Sequence, residues 1–307
     1  MIERRFSLES GTDPLTTMAA LWMGPGDPQM RVEAGAVARA FRLESGPASL
    51  LVTGDSADRA RLLARAWGAG ATEALDLVPG LVGELDDPVP FQAALAAENS
   101  HPAVREIARR LPGARLTRGA AVYDVLLNAI VGQKVTSGEA RSAQRQLLWR
   151  FGEAAPGPLG LRLPPDPGKL ARLPYWPLHP LGLERRRADT LRAAAAVAPR
   201  LEEIRELPVD AGRRRLLSVP GVGPWTAAET LRLALGDPDA VSVGDFHLPR
   251  LVSWTLTGIR EADDARMLEL LEPYRGQRAR VVYLIERGGQ MPERRAPRFT
   301  ARSIATI

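Results

Sequence analysis

The chain has 307 residues, 45% of them hydrophobic and 25% charged, which suits a water-soluble protein with a sizeable core and two domains. It contains no cysteine, so disulfides, cysteine-ligated clusters and cysteine nucleophiles are excluded. With no apolar run of about 18 residues and no recognisable secretory signal, we expect a cytoplasmic protein without membrane contact.

The net charge is +5, but it is divided unevenly along the chain. Residues 1–100 carry a net −6, and residues 101–307 carry a net +11. This distribution favours a polyanionic partner for the later part of the chain. An arginine-rich genome composition would give the same charge without any such partner.

The first hundred residues predict a small α+β domain. Short alternating stretches at 40–43 and 49–53 lie between turn residues and are typical of antiparallel strands. The alanine-containing stretch 60–71 is predicted to be helical. We place the end of this N-terminal domain at residue 110, giving a domain over 1–110.

Helices dominate the rest of the chain. The segment 120–135 is apolar nearly all round, which predicts a central buried helix, and 137–151 is amphipathic. The Pro- and Gly-rich stretch 154–180 predicts an irregular crossing. Further helices are predicted at 184–198, 201–207, 211–217, 226–235, 245–257, 261–271 and 275–286. The chain is therefore predicted to be mostly α, with a helical domain over 111–290 and a basic C-terminal tail over 291–307.

A glycine- and proline-rich turn, VPGVGP at 219–224, joins two of these predicted helices. Gly221 and Gly223 allow backbone conformations that other residues resist, and they leave room for a close ligand. Main-chain amides there and at the start of the next helix can donate to a phosphate. A lone GxG is more often an ordinary tight turn. The apolar residues on both sides complete a helix–hairpin–helix pattern, which is more specific.

One acid, Asp245, stands 24 residues after Gly221, at the start of the helix predicted over 245–257. The simplest interpretation is a helix cap, because an aspartate there accepts hydrogen bonds from first-turn amides. The helix N-terminus also favours the ionised carboxylate. An ionised acid beside a bound nucleotide can stabilise the positive charge that develops on a sugar as its base departs. The two roles are compatible.

Four motifs together resemble one family. VPGVGPWTA and VGDFHLP, with AIVGQ at 129–133 and PYRG through Tyr283, are similar to the helix–hairpin–helix DNA glycosylases, and within them to bacterial 3-methyladenine DNA glycosylase II. The resemblance implies an all-helical glycosylase domain with a smaller N-terminal domain built on an antiparallel sheet. It also implies a nucleoid-associated bacterial monomer that needs no cofactor. Such an enzyme flips alkylated purines out of duplex DNA and hydrolyses the N-glycosidic bond, leaving an abasic site.

By the same resemblance, Asp245 matches the catalytic acid, and Trp225 and Tyr283 match aromatic positions of the base pocket. Trp225 stands where bifunctional relatives carry a Schiff-base lysine. The chain has two lysines, Lys134 and Lys169, and neither lies in the hairpin. The resemblance therefore implies a monofunctional enzyme without strand-cleaving lyase activity. Taken alone, either aromatic residue would more often be part of the core.

Other positions carry further implications and some departures. Gln133 and Lys134 match the side chains that fill the gap left by the flipped base, although a lysine there could instead reach a phosphate. Glu229 stands where the branch can carry a pocket aromatic, and His247 is either a phosphate contact or a surface histidine. The residues implied to bind DNA are Gly221, Val222, Gly223, Thr226, His247, Gln133 and Lys134. The family's monovalent cation, Na⁺ or K⁺, would be held by the backbone carbonyls of Leu217, Val219 and Val222.

Two alternatives stay open at this point. The chain could be a helix–hairpin–helix protein that binds DNA without catalysis, in which case Asp245 is replaceable. It could also be a glycosylase for deaminated, oxidised or bulky-adduct bases, which the departures at Lys134 and Glu229 allow. A dinucleotide-binding fingerprint is excluded, because position 226 is threonine and a helix, rather than a strand, precedes the turn.

Overall fold

The computed structural model describes residues 1–8, 11–55, 58 and 60–289. Its N-terminal part is a five-stranded antiparallel sheet with the strand order β1-β5-β4-β3-β2. The strands are β1 Ile2–Ser7, β2 Met30–Glu33, β3 Ala36–Leu43, β4 Gly46–Gly54 and β5 Arg61–Trp67. The predicted antiparallel strands at 40–43 and 49–53 fall within β3 and β4, which confirms that part of the prediction.

The predicted helix over 60–71 is wrong. Residues 61–67 form β5, which pairs with β1 on one side and β4 on the other. Its side chains alternate, with Leu62, Ala64 and Ala66 buried and the residues between them more exposed. Alanine favours a helix intrinsically, but pairing on both edges and a half-buried surface override that weak preference.

Helices and two very short strands make up the remainder of the described chain. Before residue 120 they are α1 Pro14–Met18, α2 Ala71–Asp76, α3 Val78–Leu81, α4 Val89–Ala96 and α5 Pro102–Arg110. Next come α6 Val122–Val131, α7 Ser137–Phe151, β6 Glu153–Ala154, β7 Arg162–Leu163, α8 Pro167–Arg172, α9 Arg185–Ala196 and α10 Ala198–Glu202. The last five are α11 Val209–Leu217, α12 Pro224–Leu235, α13 Leu248–Thr257, α14 Asp264–Leu271 and α15 Arg278–Gly288.

The mostly helical architecture with an N-terminal antiparallel sheet is confirmed. Helix α6 is central, and every residue in it except Asn128 is buried. The stretch predicted to be irregular contains the β6–β7 pair and α8. The predicted basic tail over 291–307 lies outside the described residues. Within the described residues, no helix has the length and apolar character that crossing a bilayer would require.

The core has two main parts. The larger joins the sheet to α6, α9 and α12, with Phe41, Leu126 and Leu231 among its members. The smaller gathers α4, α5, α13, α14 and α15, including Ile107 and Leu251. Helices α4 and α5 thus pack with the C-terminal helices although they lie within residues 1–110, while the predicted domain boundary itself stays a prediction.

Candidate active site

The hairpin lies between α11 and α12 and is packed against α9. Gly221 has φ +87°, and a Cβ added there would overlap the hydroxyl of Thr190 on α9. A Cβ added at Gly223 would meet nothing within 4 Å. Within the described chain no side chain caps the start of α12. Gly221 therefore lets the hairpin pack closely against α9, and Gly223 leaves the amides at the start of α12 open to a ligand.

Replacing Gly221 with alanine is expected to displace the hairpin. The new methyl group needs the space of the Thr190 hydroxyl, and the residue must keep a left-handed backbone that alanine adopts at a cost of about 1 kcal/mol or more. We expect a lower midpoint of urea unfolding and at least about tenfold weaker binding of duplex DNA, measured by fluorescence anisotropy. Gly223→Ala is the matched control for stability, because its Cβ has open space. Equal losses of stability in the two variants would contradict this account.

Asp245 is held from two directions. Its Oδ1 accepts the main-chain N–H groups of His247 at 2.7 Å and Leu248 at 3.0 Å. Its Oδ2 accepts the indole N–H of Trp225 at 3.0 Å. Helix α13 begins at Leu248, three residues later than predicted, so Asp245 lies ahead of the helix and accepts the amides of His247 and of the first helical residue. Since α12 belongs to the larger core and α13 to the smaller, this acid lies where the two meet.

The face of α12 that carries Trp225 continues with charged side chains. Glu229, one turn further on, accepts a hydrogen bond from the Ser242 hydroxyl through Oε1. Its Oε2 accepts from Arg232 at 2.8 Å. Both oxygens of Glu229 are therefore already engaged by the protein. Glu229 therefore lies in an internal network, and its role in the base pocket stays a prediction.

Helix α15 presents Tyr283 and Glu286 on one face towards this network. The Tyr283 ring is buried, and the Arg287 guanidinium lies 5.3 Å from its centroid. Burial raises the pKa of Tyr283. Burial also raises the pKa of Glu286, and the carboxylates of Glu229 and Asp245 raise it further against the opposing charge of Arg232. The carboxyl groups of Asp245, Glu229 and Glu286 thus share this region with the guanidiniums of Arg232 and Arg287.

Gln133 joins the end of α6 to the hairpin. Its side-chain amide donates to the carbonyl of Gly221 at 3.1 Å and to the hydroxyl of Thr226 at 2.8 Å. Thr226 is buried, so its hydroxyl serves to hold Gln133 rather than to contact a ligand. The predicted DNA-binding residues Gln133, Gly221 and Thr226 are therefore brought together in one connected unit.

Lys134 follows at an exposed position with φ +54°, and no other non-glycine residue in the described chain has a positive φ. Such a backbone persists where its surroundings impose it, and functional sites are enriched in it. Here buried Arg187 donates to the carbonyl of Val131, fixing the end of α6. The lysine thus stands at the tip of a well-anchored turn.

Two further residues predicted to bind DNA, His247 and Val222, differ in their exposure. His247 is exposed, and its ring lies edge-on to that of Phe246 at 4.9 Å between centroids. Val222 is buried, and its N–H donates to the carbonyl of Val219 at 3.0 Å. A carbonyl oxygen has two lone pairs, so the Val219 oxygen can still accept a cation. The cation site at Leu217, Val219 and Val222 stays a prediction that these contacts permit.

Several residues of the site carry no sequence signal that we used. Thr190, Ser242 and Asp264 matter because of what they touch across the fold. The Glu229–Arg232 pair could have been inferred from its i, i+3 spacing on a helix. Glu286 could have been found by its position one turn after Tyr283.

Comparison with known proteins gives a consistent result. No family model matches the chain. It is 30% identical over 169 residues to a Mycobacterium tuberculosis protein described as "Probable bifunctional transcriptional activator/DNA repair enzyme AlkA", covering 53% of this chain and 32% of that protein. It is 26% identical over 144 residues to "Putative DNA-3-methyladenine glycosylase YfjP" of Bacillus subtilis, covering 46% of this chain and 49% of that protein. The chain thus spans 32% to 49% of the length of these relatives.

The fold is found in a solved structure. The 3-methyladenine DNA glycosylase of Archaeoglobus fulgidus superposes with a TM-score of 0.73, covering 92% of this chain and 96% of that one at 22% sequence identity. The likeness therefore extends through the N-terminal sheet as well as the helices.

Proposed function

We propose that the chain is a monofunctional DNA glycosylase of the helix–hairpin–helix superfamily, which its similarity to known glycosylases in sequence and in fold supports. Its substrates are alkylated purines of the 3-methyladenine and 7-methylguanine class in duplex DNA. It hydrolyses the N-glycosidic bond and leaves an abasic site for base excision repair. We further propose that it acts as a monomer in the bacterial cytoplasm, and that a monovalent cation at the hairpin carbonyls steadies the DNA contact.

The observation that carries this proposal is the position of Asp245. The indole N–H of Trp225 donates to Oδ2, and two main-chain amides donate to Oδ1. These donors are neutral, so they fix the carboxylate without forming an ion pair that would offset its charge. Cleavage of the N-glycosidic bond leaves positive charge on C1′ and the ring oxygen of the sugar. An ionised carboxylate beside that sugar stabilises the charge, and it can accept a proton from the attacking water.

The surroundings of Asp245 suit a base that is itself cationic. The carboxyl group of Glu286 interacts with the carboxylates of Glu229 and Asp245 and with the guanidinium of Arg232. The face of Trp225 can add attraction of about 0.5–2 kcal/mol through a cation–π contact with the base, whereas the Tyr283 ring already has the Arg287 guanidinium 5.3 Å from its centroid. Alkylation gives a purine this positive charge and also makes it a good leaving group. The pocket can therefore select a cationic base and needs only weak acid catalysis to release it.

The hairpin lacks the amine that lyase chemistry needs. Trp225 occupies the position of the Schiff-base lysine, and Lys134 lies on a separate turn after α6. We expect the wild-type protein to release free methylated purines from methylated duplex DNA, as measured by chromatography. Strand breaks are expected only after hot alkali, and sodium borohydride should trap no covalent protein–DNA complex.

Different outcomes of this experiment overturn different parts of the proposal. Binding without release of any base would favour a DNA-binding module. Release of hypoxanthine or an oxidised purine, with none from methylated DNA, would keep the enzyme and replace the substrate class. A borohydride-trapped complex would overturn the monofunctional assignment. A known bifunctional glycosylase on its own lesion serves as the positive control for trapping.

A further inference from the structure

The acid sits at the end of a tight turn, Ser242 to Asp245, which we name the catalytic turn. The N–H of Asp245 donates to the carbonyl of Ser242 at 3.3 Å. Gly244 has φ +91°, and a Cβ added there would meet nothing within 4 Å. A turn with a positive φ at its third residue needs glycine there for conformational reasons. The position of Asp245 thus depends on how this turn is held.

Two carboxylates hold the catalytic turn from opposite elements. On the α12 side, Glu229 accepts the hydroxyl hydrogen of Ser242, whose side chain is buried. On the α14 side, both oxygens of Asp264 lie within hydrogen-bond distance of the Gly244 N–H, at 3.1 and 3.0 Å. Each contact reaches the turn at a different residue, so together they fix its rotation as well as its position.

Each clamp is itself anchored. Arg232 holds Glu229 at 2.8 Å, so the carboxylate cannot swing towards a bound base without losing an ion pair. Asp264 lies in the first turn of α14, and the neighbouring Asp263 caps that helix by accepting the N–H of Arg266 at 2.9 Å. The clamps therefore belong to rigid helices on either side of the turn.

We propose that Glu229 and Asp264 are positioning residues, which clamp the catalytic turn and thereby aim the Asp245 carboxylate between the Trp225 indole and the sugar. This assigns Glu229 to the support of the acid rather than to contact with the base. The chemical consequence rests on the proposed function, whereas the geometry of the clamp does not. A misplacement of about 1 Å at a reacting group can lower a rate by about 10²-fold, so such support matters for catalysis.

The test uses the buried hydroxyl that links Glu229 to the turn. Ser242→Ala removes this link while leaving the Glu229–Arg232 pair in place, and Ser242→Thr restores a hydroxyl. Ser253→Ala is the matched control, because Ser253 is also buried but its hydroxyl faces Thr257 on α13. Three quantities are measured for each full-length variant: hydrogen exchange of the Trp225 indole N–H by NMR, the single-turnover rate of base release, and the Kd for duplex DNA. Trp225→Phe assigns the indole signal among the six tryptophans.

In Ser242→Ala we expect exchange of the Trp225 indole at least about tenfold faster, with the other five indoles unchanged. We expect base release to slow by about 10–100-fold to the same extent for 3-methyladenine and 7-methylguanine, with an unaltered Kd. Ser242→Thr should restore most of the slow indole exchange and most of the rate of base release, and Ser253→Ala should change neither quantity.

The opposite results are equally specific. An unchanged Trp225 indole signal in Ser242→Ala would overturn the clamp. The clamp would also be overturned if Glu229→Gln altered the relative rates for the two lesions while Ser242→Ala had no effect. Glu229 would then contact the base directly. If the wild type releases no base, the proposed function fails, and the indole exchange still decides whether the turn is clamped.

Discussion

Replacing Asp245 with asparagine is expected to lower the single-turnover rate of base release by about 10³-fold, with the Kd for duplex DNA changed by less than about twofold. The variant keeps the volume of the side chain and an oxygen that can accept the amides of His247 and Leu248. It loses the negative charge that stabilises the sugar cation in the transition state. Because the ground state carries no such charge on the sugar, binding should be spared.

The rate is measured with enzyme in excess over methylated duplex, so that product release does not limit it. Glu106→Gln is the charge-matched control, since it removes one carboxylate from the exposed face of α5. That variant should retain wild-type rates. A rate for Asp245→Asn within about tenfold of wild type would show that the acid is only a cap. Parallel loss of binding would show that the change has disturbed the hairpin region.

The parts of the site that could be predicted are those written in local sequence. Gly221 and Gly223 predict a turn because few other residues readily adopt the backbone conformations of such a turn. Asp245 lies next to the start of a helix, where capping aspartates are common. The contact between Trp225 and Asp245 could not be read from spacing alone. It depends on the angle between α12 and the catalytic turn, which packing across the two cores sets.

The errors have the same origin. Residues 60–71 contain enough alanine to favour a helix locally, and pairing with β1 and β4 decides otherwise. Helix α13 begins three residues later than predicted because the catalytic turn takes up Asp245. Glu229 could be placed on the correct face of α12, but its engagement by Ser242 and Arg232 requires tertiary contacts. Local preference predicts most of the elements, and long-range contact decides the exceptions and which atoms are already engaged.

The buried helix α6 illustrates a second limit, because its apolar pattern conceals a charged residue. Asp124 is 1% exposed and faces the sheet. Its Oδ2 accepts from Gln29 at 2.8 Å, while its Oδ1 has no hydrogen-bond partner among the described residues. Burial raises the pKa of Asp124 to about 7, with Glu202 adding and with Arg39, the Gln29 hydrogen bond and Arg42 opposing.

This carboxyl should make the stability of the protein depend on pH. Its pKa is about 7 in the folded state and about 3.9 in the unfolded chain, so the folded state binds more protons between these values. The stabilisation is therefore fully present below pH 4 and is lost as the pH rises to about 7. The difference amounts to about 4 kcal/mol in the free energy of unfolding. Other carboxyls whose pKa burial raises, such as those of half-buried Glu202 and buried Asp237, add in the same direction.

We accordingly expect urea unfolding of the wild type to give a free energy that falls between pH 5 and pH 8, and a much flatter profile for Asp124→Asn. The slope is the decisive quantity, because asparagine also withdraws a negative neighbour from buried Arg39 and so shifts the absolute stability. Asp76→Asn, at an exposed ion pair with Arg4, is the control and should keep the wild-type slope. An unchanged slope in Asp124→Asn would mean that Asp124 stays ionised in the fold. The sheet and α6 would then tolerate a buried charge through Arg39, Arg42 and the Gln29 hydrogen bond.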